Sequence, residues 1–401
     1  LLAGFAKQQE MIRFVQFADV HLDSAIGGTL SLPTEKKAAL RQDLRVAFAR
    51  ACDLARKRRA DLVLIPGDLF DHESLLPDTA SFIADALSAA QPARVIVSPG
   101  NHDSLRPGSP YLASSGVVWP ENVYVITSLE FQTVEFPDID CSITGIAHAH
   151  RGNTGRMLAA PVPAGSGGVR ILMVHGSRDG YRPSDKENVL PFSDSELLAQ
   201  DFMYAAIGHY HSFARIEDSA GRIRAAYSGC LQGRGLDETG DKCAVVGEIS
   251  PSGEVLLERV EVAPRRILAV DVDITGARDN RAVIERTRRA ISDSGAREQD
   301  IVRVSLRGRL SADVVLDTSV FESLGGCFHI SVSRSRIEPD YDLEALARDS
   351  AASRLRSEFV RRMLERRDSA ECPDERQALT DAIYYGLGAL DGRKPEPRDA
   401  D

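Results

Sequence analysis

The chain has no apolar run near the roughly 20 residues that a bilayer span requires; stretches such as Leu62 to Pro66 and Val95 to Val97 are far shorter. No positively charged stretch followed by an apolar core opens it. A membrane-spanning helical protein is thereby excluded, and export is not expected. The six cysteines (Cys52, Cys141, Cys230, Cys243, Cys327 and Cys372) lie too far apart for a CxxC metal or redox motif, and a chain of 401 residues does not need disulfide staples. Reduced, mostly buried thiols in a cytoplasmic protein are the expectation. No internal repeat recurs at solenoid periods, so a stacked array is excluded. Positive charge is also in deficit: 49 Lys+Arg face 59 Asp+Glu, for a net charge of −10. Such a chain has no global basic field to draw in nucleic acid or an acidic membrane, and any anionic substrate must be met by local cations or bound metals.

What is present is a globular composition, 43% hydrophobic, in which apolar runs alternate with amphipathic stretches. The first ten residues precede an internal Met11 and read as a leader or tag. Strands are predicted at Arg13 to Ala18, Asp61 to Ile65, Arg94 to Val97, Val123 to Ile126, Cys141 to Ile146, Val169 to Val174 and Met203 to Ile207. Between the first two, Leu40, Leu44, Ala47, Phe48 and Ala51 recur at helical spacing, with Thr34 as the expected N-cap. Shorter strands with glycine-rich turns follow, at Ile223 to Tyr227, Cys243 to Ile249 and Val255 to Val262. Pro264 marks the expected boundary of a main domain over residues 11–264. A small α/β accessory domain is expected over 265–338, with strands at Leu268 to Ile274, Ile301 to Leu306 and Phe328 to Ser333. Residues 339–401 are charged and helical, and Leu355, Phe359, Met363 and Leu364 form a stripe read as facing a partner helix.

The informative feature is where metal-binding residue types fall. Asp19 and His21 follow the first strand, Asp68 the second, and Asn101, His102 and Asp103 the third; His175 follows the strand ILMV, and His209 with His211 follow AAIG. Each group stands just beyond the carboxyl end of an apolar run, the edge of an α/β sheet where ligands bind. Two divalent cations about 3.5–4 Å apart need a bridging carboxylate and several neutral ligands, with positions left open for water and substrate. Asp68 is the natural bridge. Mixed Asp, Asn and His ligation favours Mn, Fe or Zn over Mg. Gly67, Gly100 and Gly208 each precede one of these residues and allow tight turns.

The set DVH at 19–21, GD at 67–68, GNHD at 100–103, His175 and GHYH at 208–211 resembles the calcineurin-like metallophosphoesterase superfamily. The segments HLDS, GDLFD, GNHDSL, WPENVYVI and AYSGCLQGRGLDETGDK resemble its DNA-repair exonuclease branch of SbcD- and YhaO-like nuclease subunits. The fold this implies is α/β (α+β): a metallophosphoesterase β-sandwich flanked by helices, with a small α/β capping domain and a helical tail. The ligand sets it implies are Asp19, His21, Asp68 and His211 for one metal, and Asp68, Asn101, His175 and His209 for the other. His102 would contact the phosphate and assist the leaving oxygen, and Asp103 would orient His102 by a hydrogen bond. The implied activity is a manganese-type DNA exonuclease or endonuclease of DNA repair. It would attack phosphorus with a metal-bound hydroxide and release nucleotides 3′ to 5′. The implied partners are DNA and an SMC-like coiled-coil ATPase (SbcC- or YhaN-like), with a homodimer as a further expectation and a cytoplasmic, nucleoid-associated location. The sequence departs from the branch at Ser228, where a proline is expected, and at Asp71, where archaeal and eukaryotic members carry a histidine.

Weaker substrate-contact readings fall on His148 and His150, after the strand SITGIA, and on Arg215 and Arg234, in loops after GHYH. Two other functions compete. One is a phosphodiesterase or phosphatase acting on small nucleotides or phosphoproteins; the other is a DNA-tethering scaffold subunit with vestigial nuclease activity.

Overall fold

The computed structural model describes residues 11–24, 32–72, 76, 78–149, 155–181, 187–311, 314, 316–317, 319–322, 324, 326–348, 353–390 and 392. Its contacts divide the chain into two compact units, Leu1–Ile267 and Leu268–Asp401. In the first, the elements run β1 (Ile12–Gln16), α1 (Thr34–Lys57), β2 (Leu62–Ile65), α2 (Thr79–Ser88), β3 (Arg94–Val97), β4 (Val123–Val125), β5 (Gln132–Phe136), β6 (Cys141–Gly145) and β7 (Val169–His175). They continue with α3 (Asp194–Leu198), β8 (Tyr204–Gly208), β9 (Ala214–Glu217), β10 (Ile223–Tyr227), β11 (Cys243–Ile249) and β12 (Val255–Glu261).

Two six-stranded sheets result, in the orders β12-β11-β1-β2-β3-β4 and β5-β6-β7-β8-β10-β9. Phe14, Leu62, Leu64 and Ile96 of the first sheet pack with Ile143, Ile171, Met173, Tyr204 and Ala206 of the second, so the sheets share one core and form a sandwich. Gln16 is a polar tie inside it: Nε2 donates to the carbonyls of Ala226 at 2.8 Å and Ile207 at 3.4 Å, and Oε1 accepts from the Tyr204 hydroxyl at 2.5 Å. The outer face of the first sheet is covered by α1, whose apolar stripe Leu40, Leu44, Ala47, Phe48 and Ala51 is buried, with Phe48 edge-on to Phe17 at 5.9 Å. Because β1, β2 and β3 are mutually parallel, as are β7 and β8, their carboxyl ends gather the turns that follow them.

The second unit holds β13 (Ile267–Asp273, opening on the last residue of the first unit), α4 (Asn280–Asp293), β14 (Ile301–Ser311), α5 (Ser319–Glu322) and β15 (His329–Asp340). The sheet order is β13-β14-β15, and Val272, Ile274, Val283, Val304, Leu306 and Phe321 form its core. Three helices follow, α6 (Leu343–Arg348), α7 (Arg354–Asp368) and α8 (Pro373–Leu390). No helix among the described residues is long and apolar enough to cross a membrane.

Several local expectations need correction. Thr34 opens α1 as a helical residue; Pro33 holds the N-cap position and no side chain caps the helix. Strands β14 and β15 run past Leu306 and Ser333, because after a register shift they stay paired in parallel from Arg307–Arg336 to Ser311–Asp340, where the apolar pattern has already faded. In the tail, Phe359, Met363 and Leu364 pack on a local core of Tyr341, Val360, Ile383, Tyr384 and Leu387, while Leu355 is 69% exposed. The stripe is therefore largely spent within its own unit.

Candidate active site

The residues after β1, β2 and β8 adopt backbone conformations that side chains seldom occupy. Asp19 (φ 52°), His21 (φ 49°), Asp68 (φ 57°) and His209 (φ 107°) all lie in the left-handed region, a strain of order 1–3 kcal/mol for each non-glycine residue. Hydrogen bonds hold these turns. Asp19 N donates to the Gly67 carbonyl at 3.1 Å and His21 N to the Asp68 carbonyl at 3.0 Å, extending the β1–β2 pairing beyond its strands. His209 N is bound by both Asp19 carboxylate oxygens at 3.0 Å. Gly67 is required at φ 93°, because a Cβ there would stand 2.5 Å from His175 Nδ1 and 2.8 Å from Gly100 Cα.

These turns bring the sequence-identified residues together. Asp68 Oδ2 lies 3.7 Å from His21 Nε2 and 3.2 Å from His175 Nε2. Asp19 Oδ1 is 3.8 Å from His211 Nε2, and His175 Nε2 is 2.9 Å from Asn101 Oδ1. The sets Asp19–His21–His211 and Asp19–Asp68–His175 each keep their ligating atoms within 4.8 Å of one another. The His209 ring lies 5.1 Å from that of His175.

The tautomers follow from the acceptors behind each ring. His21 Nδ1 donates to Asp71 Oδ1 at 2.6 Å, and His211 Nδ1 donates to Glu238 Oε1. In the neutral rings both Nε2 atoms then carry lone pairs, and they face each other at 3.3 Å. Burial, then the charge of Arg234, lowers the His21 pKa to about 4, so at neutral pH this ring brings no proton to the gap. His175 Nδ1 donates to the Pro66 carbonyl at 3.0 Å, which leaves Nε2 toward the oxygens of Asn101 and Asp68. Burial works against a charged His175, yet the Asp68 carboxylate raises its pKa to about 9. Both places thus call for positive charge between lone pairs and carboxylates, and the buried nitrogen and oxygen donor set fits a dimetal site.

The calcineurin-like phosphoesterase family profile matches residues 12–213, which contain every one of these turns. The chain belongs to the calcineurin-like phosphoesterase family. It is 26% identical over 279 residues to the metallophosphoesterase YhaO of Bacillus subtilis, a match covering 68% of this chain and 66% of that protein. It is 23% identical over 338 residues to the DNA double-strand break repair protein Mre11 of Methanopyrus kandleri, covering 76% of this chain and 70% of the relative. Among solved structures it is similar to TT1561 of Thermus thermophilus, with a TM-score of 0.36 at 14% identity over 62% of this chain and 99% of the other. The match to a dimetal phosphatase from Danio rerio has a TM-score of 0.35 at 14% identity over 63% of this chain and 96% of the other.

In this calcineurin-like phosphoesterase the carboxylate beside His102 is Asp71: Oδ1 lies 3.3 Å from His102 Nδ1 as well as bonding His21. Burial opposes the charge of Asp71, but its bonds to His102 and His21 hold its pKa well below the usual carboxylate range. Burial alone would lower the His102 pKa; the bond to Asp71 and the charge of Asp68 raise it above the ordinary histidine value. Asp103 does not hydrogen-bond His102. Its Oδ1 accepts from Asp68 N at 3.1 Å and Gly100 N at 2.6 Å, and its Oδ2 from Leu69 N at 2.9 Å and the Tyr111 hydroxyl at 2.7 Å. The sequence expectation is thus corrected: Asp103 is fully buried and pins the GD and GNHD turns to each other, whereas Asp71 orients the imidazole.

An open cleft of about 680 Å³ lies over the site, lined by Asn101, His102, His209, His211, Arg234 and Lys242 among others. The His102 side chain is 46% exposed at this surface. Arg234 lines this cleft, with Nη2 3.2 Å from Glu238 Oε1 and 3.3 Å from His211 Nδ1. His148 is fully buried and donates from Nε2 to the His175 carbonyl at 2.8 Å, so it supports a candidate ligand and cannot touch substrate. Arg215 pairs with Glu217 at 2.7 Å and does not line the cleft, and His150 lies outside the described residues.

Sequence reasoning missed Glu238 and noted Asp71 only as a departure from the branch. Asp71 stands three residues after Asp68, a spacing that could have marked it. Glu238 sits in a charged, glycine-rich run with no periodicity to single it out. The loop carrying it is tied down on two sides. Cys230 N and Lys242 Nζ donate to the His211 carbonyl at 3.3 and 3.1 Å. At its other side Gln232 bonds the Arg265 backbone in both directions, at 2.9 and 3.3 Å, and Gly240 N donates to the Ile267 carbonyl at 3.1 Å.

Proposed function

We propose that this phosphoesterase is a two-metal DNA nuclease of the repair-exonuclease type, using manganese and digesting 3′ to 5′ in company with an SMC-like ATPase. The observation that carries the metal-dependent part is the approach of the His21 and His211 Nε2 nitrogens to 3.3 Å beside the carboxylates of Asp19 and Asp68. Asp19, His21, Asp68 and His211 would hold one cation, and Asp68, Asn101, His175 and His209 the other. The bound cations would neutralise charge developing on the phosphoryl oxygens. His102, half-exposed on the cleft with Asp71 Oδ1 3.3 Å from its Nδ1, meets the phosphate and gives a proton to the leaving oxygen. Arg234, anchored on Glu238, presents positive charge to the substrate backbone.

DNA as substrate is supported by the similarity to a protein named for double-strand break repair. The small α/β portion, residues 265–338, is assigned to covering DNA, and the helical portion, 339–401, to docking the ATPase through residues left exposed, such as Leu355, since Phe359, Met363 and Leu364 pack within their own unit. The test is cleavage of end-labelled DNA by purified protein with excess Mn. Activity abolished by Asp68→Ala and by His102→Ala supports the reading. Equal turnover of bis(p-nitrophenyl) phosphate with no DNA cleavage overturns the DNA assignment.

A further inference from the structure

We infer that Glu238 is a positioning residue that sets the tautomer and orientation of His211, so that Nε2 is presented to a metal. The inference rests on the two-metal reading above. Glu238 comes from the loop between β10 and β11, yet its Oε1 takes the Nδ1 proton of His211 from 27 residues away in sequence. Its second oxygen, Oε2, accepts from Arg234 N at 2.7 Å, so the carboxylate is held by its own loop as well as by the ring. With Nδ1 engaged, the lone pair of the neutral ring falls on Nε2, which lies 3.3 Å from His21 Nε2 and 3.8 Å from Asp19 Oδ1.

A second use for these atoms is to hand. His211, Cys230 and Glu238 place possible ligating atoms within 4.8 Å of one another and so could form a separate cation site. Two contacts argue against that. The Arg234 guanidinium already supplies positive charge there, 3.2 Å from Glu238 Oε1 and 3.3 Å from His211 Nδ1. The Cys230 thiol is turned to the His211 backbone carbonyl at 3.5 Å. The group is therefore a carboxylate–histidine pair stabilised by arginine, an arrangement that raises ligand basicity when the far nitrogen binds a metal.

The test is Mn titration of the full-length protein by calorimetry, with wild type, Glu238→Ala, Glu238→Gln, His211→Ala and the Glu238→Ala/His211→Ala double variant. Two Mn equivalents in wild type, with affinity for one of them about 10- to 100-fold weaker in Glu238→Ala, are expected. Glu238→Gln keeps an acceptor for Nδ1 without the charge and should fall between. In the His211→Ala background, removing Glu238 should change Mn affinity no further, because the carboxylate acts only through that ring. Unaltered affinity in Glu238→Ala overturns the inference and leaves the two-metal reading standing, as does additive loss in the double variant. Wild type that binds no Mn overturns both. If Glu238→Ala does not fold, the Gln variant decides: wild-type affinity at both sites refutes the role.

Discussion

Asp103 offers the sharpest quantitative test, because four donors converge on one fully buried carboxylate. Asp103→Asn keeps the shape and replaces one accepting oxygen by an amide that can only donate. If the amide faces Asp68 N and Gly100 N, two backbone donors are orphaned, one in the turn that carries Asp68 and one in the turn that carries Asn101. If it faces Leu69 N and the Tyr111 hydroxyl, the hydroxyl can rotate to accept, and only Leu69 N is left without a partner. The second arrangement is the cheaper. One orphaned buried donor costs about 1–3 kcal/mol, and loss of the charge-assisted character of the remaining bonds adds on the order of 1 kcal/mol, so a destabilisation of about 2–4 kcal/mol is expected. The protein carries its own reporter: Trp119, the single tryptophan, stacks on Tyr111 with ring centroids 5.6 Å apart. Urea unfolding followed by its fluorescence, without added metal, should show the loss as an earlier midpoint at unchanged slope. Tyr111→Phe, which removes one bond to a charged acceptor, should cost about 1.5–3 kcal/mol in the same assay. If Asp103→Asn lies within about 0.5 kcal/mol of wild type, the carboxylate does not tie the two turns together.

Three other outcomes are expected. Asp71→Asn removes the charge shared by His21 and His102, so kcat/KM should fall about 10- to 100-fold, and wild-type turnover in a phosphodiesterase assay would contradict the assignment of Asp71. Burial, then His175, lowers the His148 pKa to about 4 from its usual 6.5; the unfolded chain therefore binds the proton first, and stability present above pH 6.5 is lost as pH falls to 4. A lowering of that size corresponds to about 3 kcal/mol, so urea midpoints at pH 7.5 and 4.5 should converge in His148→Gln relative to wild type, and an unchanged pH slope would refute the burial argument. Cys52, Cys141, Cys230 and Cys243 are buried, and burial pushes the Cys141 and Cys230 thiols up to about 12. Ellman's reagent at pH 8 should label exposed Cys372 at once and half-buried Cys327 more slowly, and the other four only on unfolding; rapid labelling of three or more thiols would break that assignment.

What could be read in advance followed burial. Strands β1, β2, β3, β7 and β8 are apolar runs buried almost throughout, and the polar residues beyond them stood out because the runs end there. Strands β5 and β9 went unread: each is a sheet edge with polar, partly exposed residues, and neighbours rather than composition make it a strand. The residues that could hold metal were legible by type, since only carboxylates, amides and imidazoles suit the task. Their supporting carboxylates were not, because Asp71, Asp103 and Glu238 differ in what they touch and not in kind. Asp103 follows directly on His102 in sequence, yet the turn sends its side chain into the core and leaves the ring to Asp71.

The clasp between Gln232 and Arg265, with the Gly240–Ile267 bond beside it, bears on how this chain can be dissected. The natural cutting point suggested by Pro264 would release the loop that reaches His211. Arg265 would also leave its buried ion pair with Asp43, 2.7 Å away on α1. A phosphoesterase-unit fragment that stops before Arg265 should purify as a protein poor in metal, whereas one that ends after Ile267 should retain it. Three residues outside every recognisable motif thus set the shortest piece in which the metal chemistry can be studied.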